Sequence, residues 1–166
     1  MSSGAEALTL PRAGARGALS LPQAGETLEI EGYASLWGQR DLGGDVVARG
    51  AFAESLALRP AGEVAMLWRH GPRDSVGLWD EIEEDTRGLR VRGRVTAPTA
   101  AALVRSGAVD GLSIGYRTAR ARRDARAGVR VLSGVDLREV SLVAFPMLPG
   151  ARVTKTDRCS PSLLGG

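Results

Sequence analysis

Between Leu89 and Val95 the chain alternates without a break, Leu89, Val91 and Val95 on one side and Arg90, Arg92 and Arg94 on the other. Wound as a helix, that run would scatter guanidiniums all round the axis. At the two-residue period of a strand every charge falls on one face. It reads as the second arm of a hairpin whose first arm is Val76–Glu83, joined across the polar turn from Glu84 to Gly88. The same period recurs along the chain. Leu28, Ile30, Gly32 and Ala34 alternate with Glu29, Glu31 and Tyr33, and Val64, Met66, Trp68 and His70 share one face of an expected strand. Leu112, Ile114 and Tyr116 oppose Ser113 and Gly115. Val129–Val131 and Val135–Ala144 supply the last strands before Pro146 and Pro149. Two short stretches read as helical instead: Ala51–Leu58, where Phe52 and Leu56 share a face, and Ala100–Ser106. Pro98 and Thr99 open the second, and Gly107 is placed to stop it in the left-handed conformation. Many strands with a few short helices define a mainly β (α+β) fold, a small closed or nearly closed β-barrel.

A chain of 166 residues holds one such domain. Residues 1–25, rich in Ala, Gly and Ser, are expected to be a flexible leader, residues 26–153 the folded domain and residues 154–166 a flexible tail; a turn is expected over Asp41–Asp45. With 43% hydrophobic and 25% charged residues, wholesale disorder is excluded. No apolar run approaches the ~20 residues that span a bilayer, and the Met1 end lacks the basic start and apolar core of a signal peptide, so a chain that is neither membrane-bound nor exported is expected. Cys159 stands alone, which excludes an internal disulfide framework, and with one His70 beside it no zinc site of the usual His/Cys type is expected, nor any cofactor. The net charge of +3 is concentrated: six Arg lie between Arg117 and Arg130 against the single Asp124. No aromatic residue interleaves with them, so a solvated hairpin or loop is expected there rather than a nucleic-acid site.

Three side chains could carry chemistry. His70, the one imidazole, is either a structural histidine at a strand end or a proton shuttle. Ser113, with Gly111 and Gly115 around it, is either packing filler or a residue given room for another chain to approach. It does not sit in the Gly-x-Ser-x-Gly strand-to-helix elbow, because the residues that follow favour strand. Glu139 lies in the apolar run Leu137–Val143, where an unpaired carboxylate would be costly; its partner is an Arg or the imidazole, and Ser141 shares its face. Together the three supply the residue types of the nucleophile, base and orienting acid of a serine hydrolase, though composition does not show that they meet in space.

The wording around these residues is also familiar. Glu31-Gly32-Tyr33-Ala34 with Asp41–Asp45 and Gly50-Ala51-Phe52, then Met66-Leu67-Trp68-Arg69-His70, then Gly107–Tyr116, then Leu137–Pro149 occur in that order. Over residues 28–152 the chain resembles the prohead (procapsid maturation) proteases of tailed phages, the HK97-type family, which includes prophage and gene-transfer-agent relatives. The resemblance implies a serine endopeptidase similar in fold to the herpesvirus assembly proteases, a β-barrel surrounded by helices. It aligns the family's histidine with His70 and its nucleophile with Ser113, and makes Glu139 the best match for the third member; Arg117 is a further candidate, as a helper of the oxyanion. It also implies a substrate in the scaffold or in the scaffolding segment of the major capsid protein, self-cleavage, action inside the assembling procapsid in the host cytoplasm, and a possible homo-oligomer. Two features depart from the family pattern: Gly71 follows His70 where an acid is common, and 117–130 is unusually basic. The competing readings are a catalytically inactive scaffold-binding module on the same barrel and an Arg-rich nucleic-acid-binding β-domain.

Overall fold

A computed structural model describes residues 26–159. In chain order it contains β1 (Thr27–Leu36), β2 (Asp45–Val47), α1 (Ala53–Leu58), a 3-10 turn (Ala61–Glu63), β3 (Ala65–Trp68), β4 (Ser75–Glu84), β5 (Gly88–Val95), α2 (Pro98–Arg105), β6 (Gly111–Asp124), β7 (Val129–Val143) and β8 (Val153–Cys159). The strands form one sheet in the order β2-β7-β3-β4-β5-β1-β8, with β6 on β7. The sheet curls into a half-barrel. Ala151 and Val153 draw its edges together, the Ala151 carbonyl accepting from Leu112 N–H at 2.9 Å and the Val153 N–H donating to Asp110 O at 2.8 Å.

β7 is the spine of this sheet. Glu139 and Ser141 fall on one face and Val140 and Leu142 on the other, and a register shift at Arg138 returns Leu137 to the Val140 side. One edge is occupied along its whole length by antiparallel β6, with Ser113 opposite Ser141 and Gly115 opposite Glu139. The other edge takes two short parallel strands in turn, β2 beside Arg130–Leu132 and β3 beside Glu139–Leu142. Inside the curl lie Trp79, Phe52, Met66, Leu137, Val140 and Leu142, all nearly solvent-free.

The β4–β5 hairpin is as the alternation predicts. Leu89, Val91 and Val95 are buried. The arginines face outward into a ladder of carboxylates: Arg90 to Glu31 and Glu83, Arg92 to Glu29 and Glu81, Arg94 to Asp80. Pro98 is itself the first helical residue of α2, and Gly107 adopts φ +77°, the left-handed stop expected of it.

Two expectations change, and a third is narrowed to one of its alternatives. The strand through Val64–His70 ends at Trp68, because Arg69 and His70 turn into positive φ (51° and 61°) and leave the sheet. Of the two forms expected for the Arg-rich 117–130 segment, solvated hairpin or loop, it is the hairpin, the outer half of the β6–β7 ladder; exposed on both faces, it carries no alternation to mark its strands. Val153–Cys159, placed by composition mostly in the tail, is edge strand β8 along Thr27–Gly32. It is held by its backbone ladder, with Thr154–Arg158 exposed, so hydrophobic period is again absent. The expected leader 1–25 and the last residues, 160–166, lie outside the described residues.

Helix α1 is fastened to the spine by one buried hydroxyl: Leu137 N–H donates to Ser55 Oγ at 2.9 Å. Ser55→Ala leaves that buried N–H without its partner. Chemical denaturation should show a loss of about 1–3 kcal/mol, the cost of an unsatisfied buried donor.

Candidate active site

His70, Glu139 and Ser141 form one connected group. His70 Nδ1 contacts Glu139 Oε1, the other carboxylate oxygen accepts from Ser141 Oγ at 2.8 Å, and Ser141 Oγ accepts in turn from the His70 backbone N–H at 3.1 Å. The alternative left open by the sequence, an arginine partner for Glu139, is therefore resolved in favour of the imidazole. Ser141 is fully buried, the Glu139 side chain is 13% exposed and that of His70 42%, so the group runs from the sheet interior to the surface. The left-handed turn at Arg69–His70 brings the ring back over β7. Positive φ at a non-glycine residue costs roughly 1–2 kcal/mol. Here it is supported by Arg69 N–H on Leu142 O (3.0 Å) and by the Ser141 contact to His70 N–H.

Across the ladder, Ser113 projects on the same face as Ser141, its direct neighbour. It is 5% exposed and, among the described residues, its hydroxyl has no hydrogen-bond partner. The Glu139 side chain lies over Gly115, where a β-carbon would overlap its Cγ and Oε1. The room that the two glycines leave is thus filled from within, Gly115 by Glu139 and Gly111 by Val143 O and Pro146. With Nδ1 engaged by the carboxylate, Nε2 is the ring nitrogen left to exchange a proton with a nearby hydroxyl. Arg117 stands apart: four residues beyond Ser113, roughly 13 Å along the strand, it is exposed, and the structure does not bring it into this group.

On the other side of Ser113 a cleft of about 190 Å³ opens between β1 and β6, walled by Ala34, Ser35, Leu112 and Tyr116 with Met147 beside them. Its far wall is tied down by Asp45, which accepts from Arg130 Nε and Nη2 at 2.8 and 2.6 Å and from Tyr116 Oη at 3.1 Å. The Arg130 hydrogen bonds hold the Asp45 carboxyl below the usual carboxylate range, outweighing its burial. Burial first, then the Asp45 contact, push the Tyr116 phenol up to about 12. Asp41 supports the loop through an Asx turn, its Oδ1 accepting from Gly43 and Asp45 N–H at 2.8 and 2.9 Å, as the turn expectation requires. Ser141 and Gly115 are the parts of the site whose roles sequence reasoning missed. The available signal was Ser141 two residues from a buried acid on the same strand face.

The curled β-sheet with few helices has the fold of known viral proteases. The structure resembles varicella-zoster virus protease (TM-score 0.51, 19% identity, 81% of this chain and 65% of that one) and the bacteriophage T4 capsid assembly protease gp21 (TM-score 0.52, 14% identity, 75% and 79%). In sequence the chain is 36% identical to the prohead protease of Enterobacteria phage HK97 over 124 residues, 70% of this chain and 55% of that protein. To the prohead protease of Escherichia phage T5 it is 26% identical over 123 residues, 72% and 58%. It thus spans somewhat over half the length of these curated relatives. The profile of the Caudovirus prohead serine protease family matches residues 18–162, and the chain belongs to that family.

Because there is one histidine, its ring signals are unambiguous. Gly115→Ala should displace Glu139 and shift the His70 ring nitrogen resonances in a 1H–15N spectrum while the amide spectrum remains that of a folded domain; unchanged ring signals would remove the packing argument. A second expectation concerns acid stability. A carboxyl held low in the folded state stabilises it above the ordinary aspartate range, near ~3.9, and that contribution disappears as pH falls through the folded value. Asp45→Asn should therefore lower stability at neutral pH and flatten its decline below about pH 4, read by denaturation midpoints across pH.

Proposed function

We propose that the chain is a serine endopeptidase of capsid maturation, with Ser113 as nucleophile, His70 as general base and Glu139 as the acid that orients the ring. The observation that carries this reading is the Glu139–His70 contact on the face that also presents Ser113. In the reaction, His70 Nε2 accepts the Ser113 proton as Oγ bonds to the scissile carbonyl carbon. The C–N bond then breaks, and the departing amine takes the proton from the imidazolium. Water, deprotonated by the same nitrogen, displaces the acyl group from Oγ and regenerates the hydroxyl. Glu139, held by Ser141, keeps the ring from turning and stabilises it when charged. The cleft beside Ser113 has room for a substrate side chain.

By family membership we assign the substrate to scaffold protein or the scaffolding segment of the major capsid protein, inside the procapsid, with self-cleavage at exposed segments. An inactive assembly module has no observation in its favour, since such a module has no use for an acid and a histidine arranged around a serine. Intact mass over time, for wild type and Ser113→Ala, each alone and with capsid protein from the same source, tests the reading. Discrete fragments with wild type and none with Ser113→Ala are expected. Equal fragmentation by a folded Ser113→Ala protein would overturn it.

A further inference from the structure

The outer β6–β7 ladder treats charge differently from the outer face of the β4–β5 hairpin. On β5, Arg90, Arg92 and Arg94 each face carboxylates of neighbouring strands, so that face is internally neutralised. On the arm, Arg130 is committed to Asp45 and Arg120 to Glu54. Arg117, Arg122, Arg123 and Arg126 have no carboxylate partner among the described residues. The arm's own acid, Asp124, is taken up by its turn, its Oδ1 accepting from Arg126 and Ala127 N–H at 3.1 Å each. Arg123 even stands directly opposite Arg130 across the ladder, a like-charge pairing that costs stability rather than adding to it. A fold that pairs its arginines on one face and leaves these exposed presents a site whose carboxylates come from elsewhere.

The arm is also continuous with the site: β6 carries Ser113 near its start and Arg122 and Arg123 near its end. At about 3.3 Å per residue, they lie roughly 30 Å beyond the serine. We propose that this arm is a docking surface for an acidic segment of the polypeptide substrate, engaging Asp and Glu side chains about nine or more residues from the scissile bond. It deepens the endopeptidase reading above and rests on it for the identity of the bound chain as substrate. A single-stranded nucleic acid fits less well, because no aromatic residue between 117 and 130 offers a stacking surface for unpaired bases.

The test separates docking from catalysis. In Ser113→Ala protein, fluorescence anisotropy is measured with a labelled oligoglutamate peptide and with a labelled DNA duplex, before and after the combined change Arg122→Ala, Arg123→Ala, Arg126→Ala. All three side chains are exposed, and circular dichroism verifies the fold. The peptide should bind in a salt-sensitive manner and lose about tenfold or more in affinity on the triple change, as expected for losing several charge-assisted contacts. In active enzyme the same change should raise KM for an acidic capsid-protein substrate and leave kcat unaltered. No peptide binding, binding indifferent to the triple change, tighter binding of DNA, or an unchanged KM would each overturn the proposal. Loss of all cleavage by wild type with peptide binding intact would strike the endopeptidase reading alone.

Discussion

Glu139 is an acid in the middle of an apolar strand, and the geometry of the site follows from keeping it there. A carboxylate stripped of water and of partners would cost several kcal/mol. Here one oxygen meets the His70 ring and the other the Ser141 hydroxyl. The same Ser141 oxygen receives the His70 backbone N–H, so the left-handed turn that ends β3 and the orientation of the acid are settled by a single buried atom. Gly115 on the neighbouring strand leaves the gap the side chain occupies, and two residues earlier that strand presents Ser113. Moving any of these parts would move the imidazole relative to the serine, and under the proposed mechanism that placement governs the proton transfer.

The sheet supplies this group with rigid footing. β7 is paired on both edges where Glu139 and Ser141 sit, by β6 on one side and β3 on the other, so its pleat cannot rotate those side chains away. Such a position is central in the sheet, and a polar cluster there is preorganised before any substrate arrives. The cleft on the far side of Ser113 is supported separately, through the Asp45–Arg130–Tyr116 contacts that fix β2 against the hairpin.

What could be read in advance, and what could not, divides along physical lines. Buried strands announce themselves: Leu89–Val95 and Leu28–Ala34 have one wet and one dry face, and their alternation is visible in the residues. β8 and the outer β6–β7 ladder have no dry face, so backbone pairing alone makes them strands, and composition reads the first as tail and leaves the second between hairpin and loop. At the site, the residue types of His70, Ser113 and Glu139 and the family wording around them marked the candidates, and the cost of burying Glu139 required a partner for it. That the partner is the imidazole depends on β3 lying beside β7 in parallel, a long-range pairing that no local pattern contains. The turn of His70 out of its expected strand, and the double duty of Ser141, likewise exist only once those strands meet.

The central claim is that the Glu139–His70 pair makes Ser113 a nucleophile, and covalent labelling tests it most directly. Folded protein is treated with a fluorophosphonate, and the adduct is followed by intact mass and located by peptide mapping, beside Glu139→Gln. The account predicts one adduct, on Ser113, forming on the order of 10³-fold or more slowly in the Glu139→Gln protein, as when the orienting acid of such a triad is neutralised. An adduct on another residue, or labelling of Ser113 at the same rate with Gln at position 139, would contradict it.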